Sequence, residues 1–420
     1  MHWRRNVWVL SAGTLIAQIA FSLTMPFLPM YLSELGLTRN ISLWSGLMFS
    51  INFLTFGVMA PIWGSLSDRY GKRIMLMRSG LGIAATYVLM GVARNHIQLF
   101  VLRGANGLVS GYIPAAISLV ATTTPEDDLG FALGMVQTAN AVGLICGPVV
   151  GGAVAQLAGI RGTFFFAAAL LAVASFLGFF MTSENVTPSM MRSTVMTDVR
   201  SALENPALRV LYAVLFLVQA GTLAIQPTLP LFISEMVRSN VEMITGIIFS
   251  LVGISTAIGA PLVSRVPHAK YPATLEGALI IAGILTALQA FTRSALTLGL
   301  IRFLFGFVNA AISVTANVLV AYASPKDARG RAYGVLNSVT AVGAVVGPLL
   351  GGFLGERFGL ASSFYGSGAL LGIAGILVAS GCSIIAARSP GECGDELRVH
   401  EDVIAEEVSE DGPAPSGPRI

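Results

Sequence analysis

Gly64-Ser65-Leu66-Ser67-Asp68-Arg69-Tyr70-Gly71-Lys72-Arg73 is a short polar run between two long apolar segments, with Pro61 and Trp63 just ahead of it. Gly64 and Gly71 permit a tight reversal with φ > 0 and close backbone approach. Asp68 beside Arg69, Lys72 and Arg73 makes an ion-pair cluster that cannot sit in hydrocarbon. The run therefore predicts a solvated turn where the chain leaves one apolar helix and begins the next.

The rest of the chain has the same contrast. Of its 420 residues, 54% are hydrophobic and 11% charged, and mean hydropathy is +0.76; soluble domains carry about 25% charge. Apolar runs of the roughly 20 residues needed to cross a bilayer recur throughout. The composition predicts an all-α polytopic membrane protein. The net charge of +3 is too small to imply a nucleic-acid partner. Cys146, Cys382 and Cys393 form no CxxC pair, so neither a disulfide framework nor a metal site is expected. Trp3-Arg4-Arg5 precedes an apolar segment long enough to span, and no cleavable leader is expected.

Hydropathy predicts twelve spans, near 7–32, 43–66, 74–93, 97–121, 130–155, 161–182, 209–234, 243–266, 273–292, 296–322, 330–355 and 361–386. They group as six-helix bundles over 1–182 and 209–387, a cytoplasmic central linker over 183–208 and an acidic, disordered cytoplasmic tail over 388–420. An even count puts both termini on one side. Loops on that side carry Arg4, Arg5, Arg69, Lys72, Arg73, Arg192, Arg200, Arg209, Arg265, Lys270, Lys326, Arg329 and Arg331. The opposite loops carry essentially one arginine each: Arg39, Arg94, Arg161, Arg238, Arg293 and Arg357. Both termini are therefore expected to be cytoplasmic.

A shift of about 200 residues lays one half over the other. Gln18, Pro26, Pro29, Ser33 and Glu34 fall on Gln219, Pro227, Pro230, Ser234 and Glu235. Gly46, Phe49, Ser50 and Pro61 fall on Gly246, Phe249, Ser250 and Pro261, and Arg103 and Gly107 on Arg302 and Gly306. Gly143, Gly147, Pro148, Gly151 and Gly152 fall on Gly343, Gly347, Pro348, Gly351 and Gly352. Chance alignment of apolar helices would match Leu and Val rather than this Pro, Gly and polar punctuation, so the two bundles are expected to be pseudo-symmetric. The opening stretch is the exception, because Gly64, Asp68 and Gly71 map onto Ser264, His268 and Tyr271.

Gly-x-x-x-Asp-Arg-x-Gly-Lys-Arg closely resembles the loop between spans 2 and 3 of major facilitator superfamily transporters. Gly143-x-x-x-Gly147-Pro148-x-x-Gly151-Gly152 is similar to the span 5 motif of exporters in that superfamily; as a bare pattern it means close helix packing. Arg103-x-x-Asn106-Gly107-x-x-x-Gly111 is similar to the span 4 motif of its drug:proton antiporters, with Asn106 in place of the usual glutamine. Met25-Pro26-Phe27-Leu28-Pro29, Trp44-Ser45-Gly46 and Leu76-Met77-Arg78-Ser79 extend the likeness to that twelve-span antiporter family. The resemblance implies two six-helix halves around a midplane pocket and proton-coupled efflux of small organic compounds. It implies that Asp68 meets a helix dipole of the other half in the outward-facing state, and that Arg103 takes part in proton coupling. It implies a monomer in the bacterial inner membrane.

No mid-span acid is evident in spans 1 to 6, and Glu34 is the preferred proton carrier, against a solvated helix-end carboxylate. Residues expected to line the pocket are Gln18, Phe27, Tyr31, Asn106, Tyr112, Gln219, Gln226, Asn309 and Asn317, with interhelical hydrogen bonding as the alternative for each. There is no phosphate-cradling Gly-Lys-Ser/Thr loop, no HExxH and no nucleophile with a base, so neither an enzyme nor a cofactor is expected. Two other readings stay open: a carrier of one metabolite such as a sugar, siderophore or amino-acid derivative, and a membrane sensor that kept the fold without transport.

Overall fold

The computed structural model describes residues 2–184, 205–324 and 329–386, and all regular structure among them is helical. Eleven segments are long and apolar enough to span. One of them, Glu126–Met181, is broken at Gly159 (φ 73°, ψ 170°), which makes two spans of it and twelve in all. We number them α1 (Trp3–Glu34), α2 (Ile41–Tyr70), α3 (Lys72–Gly91), α4 (His96–Thr123), α5 (129–158), α6 (160–181), α7 (Pro206–Met236), α8 (Val241–Val263), α9 (Tyr271–Gln289), α10 (Ala295–Ala323), α11 (Arg329–Phe358) and α12 (Ala361–Ala386). The expected linker begins to fold sooner than the charge pattern suggested, because Asn205 caps the Ala207 N–H and Pro206 opens α7. The remainder of that linker (185–204) and the acidic tail (388–420) lie outside the described residues.

Three spans are not continuous, which hydropathy cannot register. A 3-10 turn at Met25–Phe27 divides α1, and Pro26 and Pro29 sit in the first turns of the segments that follow the breaks. In α7 the break lies between Ala224 and Leu229, with Pro230 opening the second piece. In α4 it lies at Ser110–Gly111, where Gly111 has φ +144°. Prolines supply no N–H to the preceding turn, so the chain can re-phase there at little cost.

The buried cores keep to their own halves. One cluster gathers residues from Val7 to Ala174; two others gather residues from Ala207 to Val378. Large apolar side chains remain exposed around the perimeter, among them Val58, Val101, Leu157 and Ile376. In lipid such exposure costs nothing, and helices are held together by close packing and hydrogen bonds.

The opening stretch is less of a loop than its polarity suggests. α2 runs through Tyr70, so Gly64 and Asp68 are helical, and Gly71 alone (φ 96°) makes the reversal. The Glu184 carboxylate caps α3, accepting from the Lys72 N–H at 2.9 Å and the Arg73 N–H at 2.8 Å. Arg73 donates to the Phe179 carbonyl and lies over the Phe179 ring, which ties α3 to the end of α6.

Candidate transport pathway

The halves meet along two matched seams, α2 against α11 and α8 against α5. A methyl group on Gly46 would land 2.3 Å from the Pro348 carbonyl oxygen; on Gly246 it would land 2.2 Å from that of Pro148. Gly352 packs on Ser42 and Gly46, and Gly152 on Glu242 and Met243. Ser50 donates to the Val345 carbonyl at 2.6 Å and Ser250 to that of Ile145 at 2.5 Å. At the rim, the Asn40 N–H donates to Glu356 and Gln156 donates to Asn240. Asn40 and Asn240 both adopt the left-handed conformation.

Toward the charged turn the glycines of α2, α5 and α11 make no such contact. A methyl group added to Gly57 or Gly64 on α2, to Gly130 or Gly134 on α5, or to Gly330 or Gly334 on α11 would meet nothing within 4 Å. Asp68 is 56% exposed there and pairs at 3.4 Å with Lys72, the first residue of α3 across the Gly71 reversal. Among the described residues, every side-chain hydrogen bond between the halves lies at the end opposite the charged turn.

The glycine motif serves two contacts at once. Gly143, Gly147 and Gly151 sit against Gln18, Ser22 and Leu23 of α1. Pro148 and Gly152, on the neighbouring face, meet the other half. Pro148 thus exposes a carbonyl to the seam as well as removing a donor.

A chamber of about 350 Å³ opens into the N-terminal half, walled by α1 to α6. Gln18, Asn52, Ser110, Tyr112 and Asn140 supply its polar groups; Phe21, Phe53 and Phe56 supply much of the rest. Asn52 belongs to a buried network: its Nδ2 donates to the Arg103 carbonyl (3.1 Å) and the Asn106 Oδ1 (3.0 Å), and Asn106 donates to Thr86 at 2.7 Å. Arg103 itself is 1% exposed. Its Nη2 reaches the Met25 sulfur at 3.5 Å and its guanidinium lies 5.8 Å from the Phe49 ring centre. Its Nε has no partner, and no carboxylate pairs with it among the described residues. Arg302 is its echo, donating to Gln289 at 3.3 Å and lying over Phe249.

Several residues expected to line the pocket are packed elsewhere. Phe27 and Tyr31 are fully buried inside the N-terminal half; Tyr31 donates to the Met90 carbonyl and packs on Phe164. Nine and thirteen residues past Gln18, they stand about 180° and 220° round the helix from it, on the face turned away from the chamber. Asn106 is wholly buried and committed to α2 and α3. Tyr112 reaches the chamber but donates to the Ala174 carbonyl. Gln219 and Gln226 are half-buried, Asn309 donates to Thr256 at 3.3 Å, and Asn317 is exposed and donates to Ser313. Glu34 is exposed at the closed end, facing Arg161 and Glu242. Arg103 and Glu34 are not brought together. Asn52 and Asn140 went unnoticed in the sequence. Asn140 lies on the face of Gly143 and Gly147, a helical turn earlier, which was the available signal.

Residues 10–299 and 272–381 match the family description Major Facilitator Superfamily. Multidrug resistance protein MdtG of Salmonella arizonae is 36% identical over 371 residues, covering 87% of this chain and 92% of that protein, and MdtG of Salmonella newport matches to the same extent. Solved structures share the fold at lower identity. The nucleoside transporter NupG aligns with a TM-score of 0.74 at 14% identity, over 90% of this chain and 99% of that one. A bacterial homolog of the human lysosomal transporter Spinster aligns at 0.73 and 15%, over 91% and 96%. The human organic anion transporter MFSD10 aligns at 0.64 and 21%, over 90% and 100%.

Proposed function

Because this chain belongs to the major facilitator superfamily, we propose that it is a secondary active transporter that expels drugs or other small amphipathic compounds in exchange for protons. The observation that carries this reading is the paired seam. Two glycine-on-carbonyl contacts close one end, while glycines of the same helices make none at the other, where we place the opening to the chamber. Such a geometry can exchange its open end by rocking one half on the other. The 36% identity to MdtG over most of both chains supports drugs as the cargo.

The Lys/Arg distribution supports a bacterial inner-membrane protein with both termini in the cytoplasm. The open end then faces the cytoplasm and the seams lie on the periplasmic side. Compounds reach the chamber from within the cell or the inner leaflet. Closing the cytoplasmic end brings Asp68 to the other half, where a helix N-terminus offsets its charge by about 0.3–1 kcal/mol. In the inward-open state Asp68 is free for that role, since its partner Lys72 belongs to the same half.

Arg103 couples the proton to this cycle. A buried cation without a counter-ion raises the energy of its surroundings until a negative charge or water reaches it. Asn52 links the backbone at Arg103 to the chamber wall, so a compound in the chamber and the guanidinium share one rigid network. Glu34, at the periplasmic rim beside Arg161, is the carboxylate we assign to proton uptake from outside. The chain works as a monomer.

Purified protein in proteoliposomes, given an inward-acid gradient, should accumulate a fluorescent drug, and collapse of the gradient should stop it. Equal flux with and without the gradient would refute proton coupling; no flux across a chemically broad panel would refute transport.

A further inference from the structure

A second cavity, of about 190 Å³, lies between α2, α3 and α4 at the charged-turn end of the N-terminal half. Arg78 of α3 and Trp63 of α2 stand together in its wall. The guanidinium lies 3.5 Å from the centre of the Trp63 ring, and that indole is pinned in turn by donating to the Leu108 carbonyl at 2.6 Å. Arg78 is half-buried and has no partner to match its charge. Its Nε is sealed and bonds to nothing, and no carboxylate pairs with it among the described residues. Nη1 and Nη2 bond to no described residue either, yet both keep accessible surface. Nη2 lies toward Gly111 on the cavity wall, 3.7 Å from where a methyl on that glycine would stand. A cation set among apolar helices without a counter-ion is stabilised by an anion that reaches it. Stacking on the indole face leaves the guanidinium edge free to receive one.

The duplicated fold does not require this arrangement. Arg78 maps onto Ala278 and Trp63 onto Val263, and α10, the counterpart of α4, runs unbroken where α4 breaks at Ser110–Gly111. Asp68 also lines the cavity, but its ion pair is with Lys72 at 3.4 Å. Its charge therefore confines an anion to the inner end, beside Gly111. That inner end adjoins the chamber, since Phe56, Ser110, Gly111 and Pro114 line both.

We propose that Arg78 is the anion-recognising residue of a side pocket of the chamber, and that the joined site takes an aromatic carboxylate. This deepens the transport reading and rests on it for its physiological role. The ring sits in the chamber among Phe21, Phe53 and Phe56, and the carboxylate meets the free Nη edge of Arg78. The second piece of α4 begins at Gly111 with no side-chain cap, so its first N–H groups add to the positive potential there. The phosphate of an anionic lipid offers a guanidinium the same chemistry. The chamber next door, at about 350 Å³ and lined by aromatic rings, favours the aromatic carboxylate.

The test is equilibrium dialysis of the purified full chain with radiolabelled naphthoate and with naphthamide, which keeps the ring and shape but carries no charge. The wild type should bind naphthoate about tenfold more tightly or better. Arg78→Gln should erase that preference by weakening naphthoate alone, its naphthamide binding vouching for the fold. Arg78→Met, equally uncharged, should do the same. Equal binding of the two compounds to wild type, retention of the preference by either variant, or failure of naphthoate to bind would overturn the site. Phosphatidylglycerol carried through detergent exchange by wild type but not by Arg78→Gln, with no naphthoate bound, would assign the guanidinium to a lipid headgroup and overturn the carboxylate. If the preference holds but no compound moves under a proton gradient, the transport reading fails and the site stands. If gradient-driven flux of other compounds persists without the preference, the site fails and transport stands.

Discussion

Gly46→Ala and Gly246→Ala should each tilt the protein toward the state that is open at the seam end. The added methyl at position 46 lands 2.3 Å from the Pro348 carbonyl oxygen and at position 246 lands 2.2 Å from that of Pro148; ordinary contact begins near 3.4 Å. Backbone cannot swing aside as a long side chain can, so α2 and α11, or α8 and α5, must separate by about 1 Å. Overpacking of this kind costs about 1–3 kcal/mol, which multiplies the outward-to-inward ratio by roughly five- to 140-fold. The seam contacts belong to the outside-closed state, so the whole of that cost falls on one side of the equilibrium. Spin labels at Arg94 and Arg293, exposed positions one in each half, report it by double electron–electron resonance. The longer-distance population should grow in either variant. Gly57→Ala, whose methyl meets nothing within 4 Å, should show no such growth. Wild-type distance distributions in folded Gly46→Ala and Gly246→Ala protein would refute the seam as a gate.

Arg103→Met should abolish flux driven by a pH gradient while leaving Tm in detergent unchanged or higher, since it removes a buried cation that has no carboxylate partner among the described residues; a large fall in Tm would expose a counter-charge. Asp68→Asn should shift stability by less than about 1 kcal/mol, because its ion pair with Lys72 is half exposed. Its flux should nevertheless drop severalfold, and unchanged flux would dismiss the latch. Gly111→Ala should destabilise by about 1–3 kcal/mol through backbone strain alone, since φ is +144° and the nearest side-chain atom, on Arg78, is 3.7 Å from the new methyl; thermal unfolding measures it.

The sequence displayed the spans and their duplication plainly, because hydrophobic runs and Pro/Gly punctuation are local signals that survive without coordinates. Gly71 was readable as a turn for the same reason. The breaks in α1, α4 and α7 were not, since Met25–Phe27 and Ser110–Gly111 are as apolar as their neighbours and hydropathy averages over them. Phe27 and Tyr31 were expected on the chamber wall as aromatic residues of α1, but nine and thirteen residues past Gln18 they lie on the far side of the helix, and they pack into the core. Asn106 looked like a wall residue because it shares a helix with the chamber, and its commitment to Asn52 and Thr86 depends on partners far away in sequence. The seams were hidden altogether. Nothing near Gly46 announces that Pro348 will lie against it.

A lock that exists in two copies tolerates drift in either one. Gly46 over Pro348 and Gly246 over Pro148 answer each other across the twofold axis, so a lineage that loses one glycine keeps a half-strength bolt instead of a dead machine. Selection can thereby tune how long the pump rests with its seams shut, one glycine at a time, without disturbing the residues that meet the cargo.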